Sequence, residues 1–314
     1  MLDKSNILAL VGGGEYPKFS INKITIWDDH QGKIISQIRF NSEVIKIKIR
    51  KDTIIGVLQE KIYILNIATL ETIDILETFN NPNGIFSASN INNELTIAFP
   101  CIKMKGKVQI ENYLIDIDDT KKNENKIINA HESQIAYLSI NNEGTILATA
   151  SDKGTLIRIF LTSKGDPPIA TLRRGSKNAR INCLVFDIQS EIIGCTSDSG
   201  TTHLFNITDI NKLINEKKNE EQKEGNKEEN NNKKEKNKSS KNNIKINIKD
   251  KSFVKYRTHE TQCILGFYQA NKMIILTSNG KYYKVNYDTK LGCEQKEEGV
   301  LLIDNINNTN NTNK

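Results

Sequence analysis

The sequence predicts an all-β fold assembled from repeated units of about four strands each, and three observations carry that expectation. The first is local alternation: Lys23-Ile24-Thr25-Ile26-Trp27, Val44-Ile45-Lys46-Ile47-Lys48-Ile49 and Lys61-Ile62-Tyr63-Ile64-Leu65 each switch between apolar and polar residues. This is the period-2 pattern of a strand with one face buried. The second is punctuation by turn residues, at Gly12-Gly13-Gly14, Asp28-Asp29, Asn80-Asn81-Pro82-Asn83-Gly84 and Asn141-Asn142-Glu143-Gly144. The third is a longer repeat. Thr149-Ala150-Ser151-Asp152-Lys153-Gly154-Thr155 returns 46 residues later as Cys195-Thr196-Ser197-Asp198-Ser199-Gly200-Thr201, and again as Leu276-Thr277-Ser278-Asn279-Gly280. Apolar strands precede each, at 134–140, 181–186 and 263–268. Four strands in a period of about 40 to 45 residues is the signature of a WD40-like β-propeller, whose blades bury their faces only against one another.

Taken in order, the units run 7–40, 44–79, 84–129, 134–173, 181–257 and 263–303, which makes about six blades in a propeller domain spanning 1–304. The first unit lacks a strand before Ile7-Leu8-Ala9-Leu10-Val11. That leaves either a six-bladed ring or a seven-bladed one whose first blade the sequence lacks. One segment breaks the pattern. Residues 211–250 hold 12 Lys, 7 Glu, 1 Asp and 11 Asn, too little apolar surface to offset chain entropy, so a disordered loop inserted in the fifth unit is expected there. At its entrance Ile207, Ile210, Leu213 and Ile214 have helical spacing. They read either as a short amphipathic helix or as a frayed strand end. The tail 305–314 reads as disordered polar sequence.

Composition excludes several classes. The 314 residues, 37% hydrophobic and 26% charged, suffice for a sizeable core. A formal charge of +6 suits anionic partners without choosing among them. The five cysteines (Cys101, Cys183, Cys195, Cys263, Cys293) show no C-x-x-C spacing, which favours reduced thiols in the cytosol over a disulfide framework or zinc site. No apolar run is long enough for a signal-peptide core or a spanning helix, so any membrane contact is expected to be peripheral. Enzyme motifs such as G-x-S-x-G and H-E-x-x-H are missing, and neither a cofactor nor a metal is expected. Nucleic-acid binding through 211–250 is disfavoured, because its lysines are mixed with glutamates and lack stacking aromatics.

The residues that carry chemistry lie in Leu172-Arg173-Arg174-Gly175. Adjacent strand residues point to opposite faces, so the two guanidinium groups diverge and suit two separate anionic pockets. Arginine matches phosphate because its planar fork donates paired hydrogen bonds and stays charged. Thr201 and His203 share one strand face by the same parity.

Two blocks then resemble the PROPPIN family, the β-propellers that bind polyphosphoinositides and include the WIPI proteins. One runs from Leu8-Ala9-Leu10-Val11-Gly12-Gly13-Gly14 into Asn22-Lys23-Ile24-Thr25-Ile26-Trp27-Asp28-Asp29. The other runs from Ala130-His131-Glu132 through Ala148-Thr149-Ala150-Ser151-Asp152-Lys153-Gly154-Thr155-Leu156-Ile157-Arg158-Ile159-Phe160 to Leu172-Arg173-Arg174-Gly175-Ser176. The Leu form of the Arg-Arg-Gly motif is more similar to the WIPI three and four branch. The resemblance implies a seven-bladed ring in the family and two headgroup pockets on the rim. The first would use His131, Ser151, Gly154, Thr155, Arg158 and Arg173; the second Arg174, Gly175, Ser176, Ser197, Thr201 and His203. It further implies a non-enzymatic scaffold binding phosphatidylinositol 3-phosphate or the 3,5-bisphosphate. Such a scaffold would be cytoplasmic and peripheral on autophagosomal, endosomal or vacuolar membranes. Its partners would be autophagy lipid-transfer or conjugation machinery, with units 40–110 the place to look. Read on type alone, His203 also fits a satisfied semi-buried histidine, and His131 a blade-capping one of the WD kind. Beside phosphate, a histidine is expected to have a raised pKa and to tighten lipid binding as pH falls from about 7.5 to 6. The competing reading is a WD-repeat scaffold that binds no lipid.

Overall fold

Strands follow one another through the computed structural model, which describes residues 5–102, 104–116, 120–123, 125–214, 249–290 and 292–301. The strands form six antiparallel sheets. The first contains β1 (Ile7–Leu10), β2 (Lys23–Asp28) and β3 (Lys33–Arg39), in that order. The second contains β4 (Lys46–Ile49), β5 (Thr53–Val57), β6 (Lys61–Asn66) and β7 (Thr72–Glu77). In the third, β8 (Ser87–Ala88), β9 (Glu94–Pro100) and β10 (Lys107–Leu114) are followed by two short strands, β11 (Lys121–Lys122) and β12 (Lys126–Asn129). The fourth is β13 (Ile135–Ile140), β14 (Ile146–Ser151), β15 (Leu156–Leu161) and β16 (Gly165–Arg173). The fifth is β17 (Ile181–Phe186), β18 (Ile192–Ser197), β19 (Thr201–Asn206) and β20 (Val254–Arg257). The sixth is β21 (Cys263–Gln269), β22 (Lys272–Thr277), β23 (Lys281–Asp288) and β24 (Gly292–Val300).

Five of these sheets are sequential meanders, the first with three strands and the others with four, the topology of a propeller blade. The third departs from four strands for a simple reason. Strand β10 is long enough for β12 to pair with its start at Lys107–Ile110 while β11 pairs with its end at Tyr113–Leu114. The second strands β5, β14 and β18 are buried at every position. Their sequences are therefore runs of Ile, Leu, Ala and Thr rather than alternations. By contrast β3, the last strand of its sheet, is largely exposed.

By its contacts the chain divides into two units, Met1–Lys153 with Ile157–Pro168, and Gly154–Leu156 with Ile169–Lys314. The first unit has apolar clusters around Ile24, Phe40 and Ile54, around Ile62, Ile97 and Phe99, and around Val108, Ile110 and Phe160. Leu204, Leu265, Met273 and Val285 centre the core of the second.

The internal repeat is also a structural repeat. Ile135 pairs with Ser151 and Ile181 with Ser197, and both ladders shift register at the next pair, after Ile135 and after Ile181. The turn that follows is closed from Gly200 N to Ser197 O (3.1 Å) and from Gly280 N to Thr277 O (3.0 Å). Such a turn needs a left-handed residue, and Gly200 has φ +69°. After β19 the chain forms a helix over 208–214. Ile207 just before it and Ile210 within it are buried, and of the two readings of that stretch the helix is the one formed. Most of 211–250, and the tail 305–314, lie outside the described residues.

Candidate functional site

The end of β16 sets the site. Leu172 is fully buried, Arg173 is exposed and Arg174 is only 7% exposed, so the adjacent arginines diverge as strand parity requires. Arg174 is held from the turn after β14. Its backbone N donates to Thr155 O at 2.9 Å, its Nε donates to Gly154 O at 2.8 Å, and its guanidinium also donates to Lys177 O. Gly154 serves this geometry in two ways. It adopts φ +59°, and a Cβ there would lie 1.9 Å from Ala179 O.

A comparison inside the same chain shows what is unusual about Arg174. Arg50 is equally buried, at 4% exposure. It holds the Asp52 carboxylate with two bonds of 2.9 and 2.8 Å, and also donates to Ser89 O, Ile91 O and Glu94 O. Arg174 spends two of the five N–H donors of a guanidinium on carbonyls. Among the described residues no carboxylate pairs with it. A buried cation without an anion is costly, and three unspent N–H groups give the missing anion its partners.

The other members of the second set sit on the same unit. Ser197 is 1% exposed, and its hydroxyl lies 2.8 Å from that of Ser199. Thr201 is half-buried, Gly175 likewise, and Ser176 is exposed. His203 is 5% exposed; its ring stacks on Phe205 with centroids 6.2 Å apart, and its Nδ1 lies 3.1 Å from Ser252 Oγ. Burial first, then the Arg174 and Lys255 charges, lowers its pKa to about 4.

Of the first set, His131, Ser151 and Arg158 belong to the other unit. His131 Nε2 lies 2.9 Å from Thr149 Oγ1, which donates in turn to Arg158 O at 3.3 Å. With the hydroxyl proton so used, the ring donates from Nε2. Arg158 donates to Ala130 O at 2.7 Å, and Ser151 is 6% exposed. Burial, with Arg158 beside it, lowers the His131 pKa to about 4. These values describe the free protein, whereas the expectation of a raised pKa concerns a histidine beside bound phosphate. Both rings are neutral from pH 7.5 to 6, because burial and cationic neighbours oppose the charged form and no resident anion offsets them. Thr155 and Arg173 fall on the second unit; the Arg173 N donates to Asp250 O at 2.6 Å.

Sequence reasoning missed Thr149, Ser199, Ser252 and Lys255. Thr149 and Ser199 sit in the repeated turn motif, which was a usable signal. Ser252 and Lys255 follow the long insertion, and nothing local connects them with His203.

Sequential four-stranded meanders with a repeated Ser-Asp-x-Gly turn define a WD40-like β-propeller. Within that class, the chain belongs to the PROPPIN family, whose profile matches residues 17–302. It is 34% identical over 211 residues to autophagy-related protein 18e of Arabidopsis thaliana, an alignment covering 66% of this chain and 53% of that one. The chain thus spans about half the length of this relative. Hsv2 of Kluyveromyces lactis superposes with a TM-score of 0.72 at 17% identity, over 96% of this chain and 85% of that one. KlAtg21, in its complex with the coiled-coil of AgAtg16, gives 0.69 at 18% identity, over 96% and 83%. These two likenesses bear on the fold.

Proposed function

We propose that this chain is a non-enzymatic, peripheral membrane scaffold that binds 3-phosphorylated phosphoinositides beside the Arg173-Arg174 pair. The single observation that carries the proposal is Arg174, buried, without a carboxylate among the described residues, and with three N–H groups unspent. A phosphate monoester supplies the missing charge together with several acceptor oxygens. Gly175, Ser176, Ser197, Thr201 and His203 line that second pocket in this reading, with hydroxyls donating to the remaining oxygens. The first set (His131, Ser151, Gly154, Thr155, Arg158 and Arg173) enters on the resemblance as a second headgroup site. Two sites on one membrane raise avidity by about 10² to 10⁴ over either alone.

Phosphatidylinositol 3-phosphate and the 3,5-bisphosphate are the proposed ligands, on autophagosomal, endosomal or vacuolar membranes. The Leu172 form of the motif favours the WIPI three and four branch. The names of the Arabidopsis relative and of the Atg21–Atg16 complex support autophagy machinery as the protein partner. No helix among the described residues is long and apolar enough to cross a membrane.

The test is flotation with liposomes carrying each phosphoinositide in turn. Binding selective for 3-phosphorylated lipids, lost in folded Arg173→Thr/Arg174→Thr, is expected. A folded wild-type protein indifferent to phosphoinositide would leave the lipid-independent WD-repeat scaffold instead.

A further inference from the structure

His203 raises a chemical problem for an anion pocket. Its pKa near 4 leaves the ring neutral at physiological pH, and a neutral imidazole has one N–H and one lone pair. A lone pair facing phosphate repels it. Which nitrogen carries the proton is set by the hydrogen bond the other one makes.

Nδ1 has such a bond, to Ser252 Oγ at 3.1 Å, while Nε2 makes none among the described residues. Ser252 lies 49 residues from His203 in sequence and is placed by the backbone on either side of it. Before it, Asp250 O accepts from Arg173 N at 2.6 Å, and Lys251 bridges to Arg173. After it, Phe253 N donates to Leu204 O at 3.0 Å. The segment is pinned both to the strand end that carries the arginine pair and to the strand that carries His203. A hydroxyl rotates freely and both donates and accepts.

We infer that Ser252 is a positioning residue of the Arg174 pocket: its hydroxyl donates to His203 Nδ1, holds the ring proton on Nε2, and so turns a neutral histidine into a phosphate donor. The inference rests on the phosphate reading of that pocket. The charged groups facing the ring are Arg174 and Lys255, the latter directly across the β19–β20 ladder. On the β18 side stands Cys195, whose thiol is pushed up to about 12 by burial and is neutral. Among the described residues two cations and no carboxylate face the ring, so fixing the tautomer gives a donor to phosphate without charging the imidazole.

The experiment measures binding to vesicles containing phosphatidylinositol 3-phosphate at pH 7.4 for wild type, Ser252→Ala, Ser252→Thr, His203→Ala and the Ser252→Ala/His203→Ala double variant. It is paired with ¹⁵N spectra of the histidine rings in the presence of the soluble headgroup. Ser252→Ala is expected to lose about tenfold in affinity, the worth of one hydrogen bond to a charged group. Ser252→Thr keeps the hydroxyl and should bind like wild type. The double variant should bind no worse than His203→Ala, since both changes act through one ring. The wild-type His203 signals should report the Nε2–H form, and those of Ser252→Ala a mixture. Unchanged binding by Ser252→Ala alongside a weakened His203→Ala overturns the inference and leaves the pocket standing. So does a further loss on adding Ser252→Ala to His203→Ala. Wild-type protein that ignores the lipid overturns the pocket and the inference together.

Discussion

Arg50 and Arg174 are equally buried, yet removing them should have opposite consequences. Arg50→Met leaves the Asp52 carboxylate, which is 12% exposed, without its cation, and removes the guanidinium donor from Ser89 O, Ile91 O and Glu94 O. Breaking a buried pair in this way costs about 3 to 5 kcal/mol. Arg174→Met forfeits two bonds to carbonyls, a loss of about 3 kcal/mol at roughly 1.5 each. It also removes a buried charge that no carboxylate among the described residues pairs, whose desolvation is itself worth several kcal/mol. The two contributions nearly cancel, so Arg174→Met should change stability by no more than about 1 kcal/mol in either direction. Binding should respond the other way round. A bidentate contact from Arg174 to phosphate is worth about 3 kcal/mol, hence roughly a hundredfold in affinity. Arg50→Met, provided it folds, should bind lipid normally. Urea denaturation followed by tryptophan fluorescence from Trp27 and by circular dichroism measures the first quantity, and flotation with phosphoinositide vesicles the second. If Arg174→Met is as damaging to the fold as Arg50→Met and leaves flotation intact, Arg174 is a strut and the reasoning from its missing carboxylate is wrong.

Other consequences follow from particular contacts. Gly154→Ala places a Cβ 1.9 Å from Ala179 O at a residue with φ +59°. It should cost about 1 to 3 kcal/mol and displace the carbonyl that Arg174 holds, visible as a lowered melting temperature together with weakened vesicle binding. Asp52 is half-buried, and its desolvation raises its pKa, but bonds from Arg50 and Thr53 outweigh this and hold it below the usual 3.8. Its contribution to stability is therefore complete above pH 3.8 and is lost as pH falls through the lower native value. Asp52→Asn should be destabilised relative to wild type at pH 7, with the gap closing in acid; a gap independent of pH would contradict the ion pair. For vesicle binding between pH 7.5 and 6, His203→Gln should parallel wild type, because the neutral ring contributes no titrating charge in that window. A wild-type affinity that climbs steeply on acidification only when His203 is present would contradict this.

Much of the fold was legible because half-buried strands announce themselves by alternation. Lys61-Ile62-Tyr63-Ile64 needs no tertiary information to be read as a strand, and it forms β6. The repeated Ser-Asp-x-Gly turn was legible for a steric reason, since its left-handed position admits glycine readily. The extra strand of the third sheet was not, because Lys121-Lys122 has no pattern of its own and pairs only because β10 is long enough to accept it. The same division runs through the site. Divergence of Arg173 and Arg174 follows from strand parity and was visible in advance. The acid partner of Arg50 stands two residues away at Asp52, whereas the absence of one for Arg174 depends on every element folded around it. The neutrality of both histidines is likewise a consequence of burial and of cations brought from other strands. Ser252 reaches His203 across an insertion whose composition says nothing about where its far end docks.

The most direct test of the central claim is a calorimetric titration of the folded protein with the soluble bisphosphorylated headgroup of phosphatidylinositol 3-phosphate, which separates pocket chemistry from membrane avidity. The account predicts saturable binding by wild type and by Asp52→Asn, and its loss in Arg174→Met. No saturable binding by wild type, or undiminished binding by Arg174→Met, would contradict it.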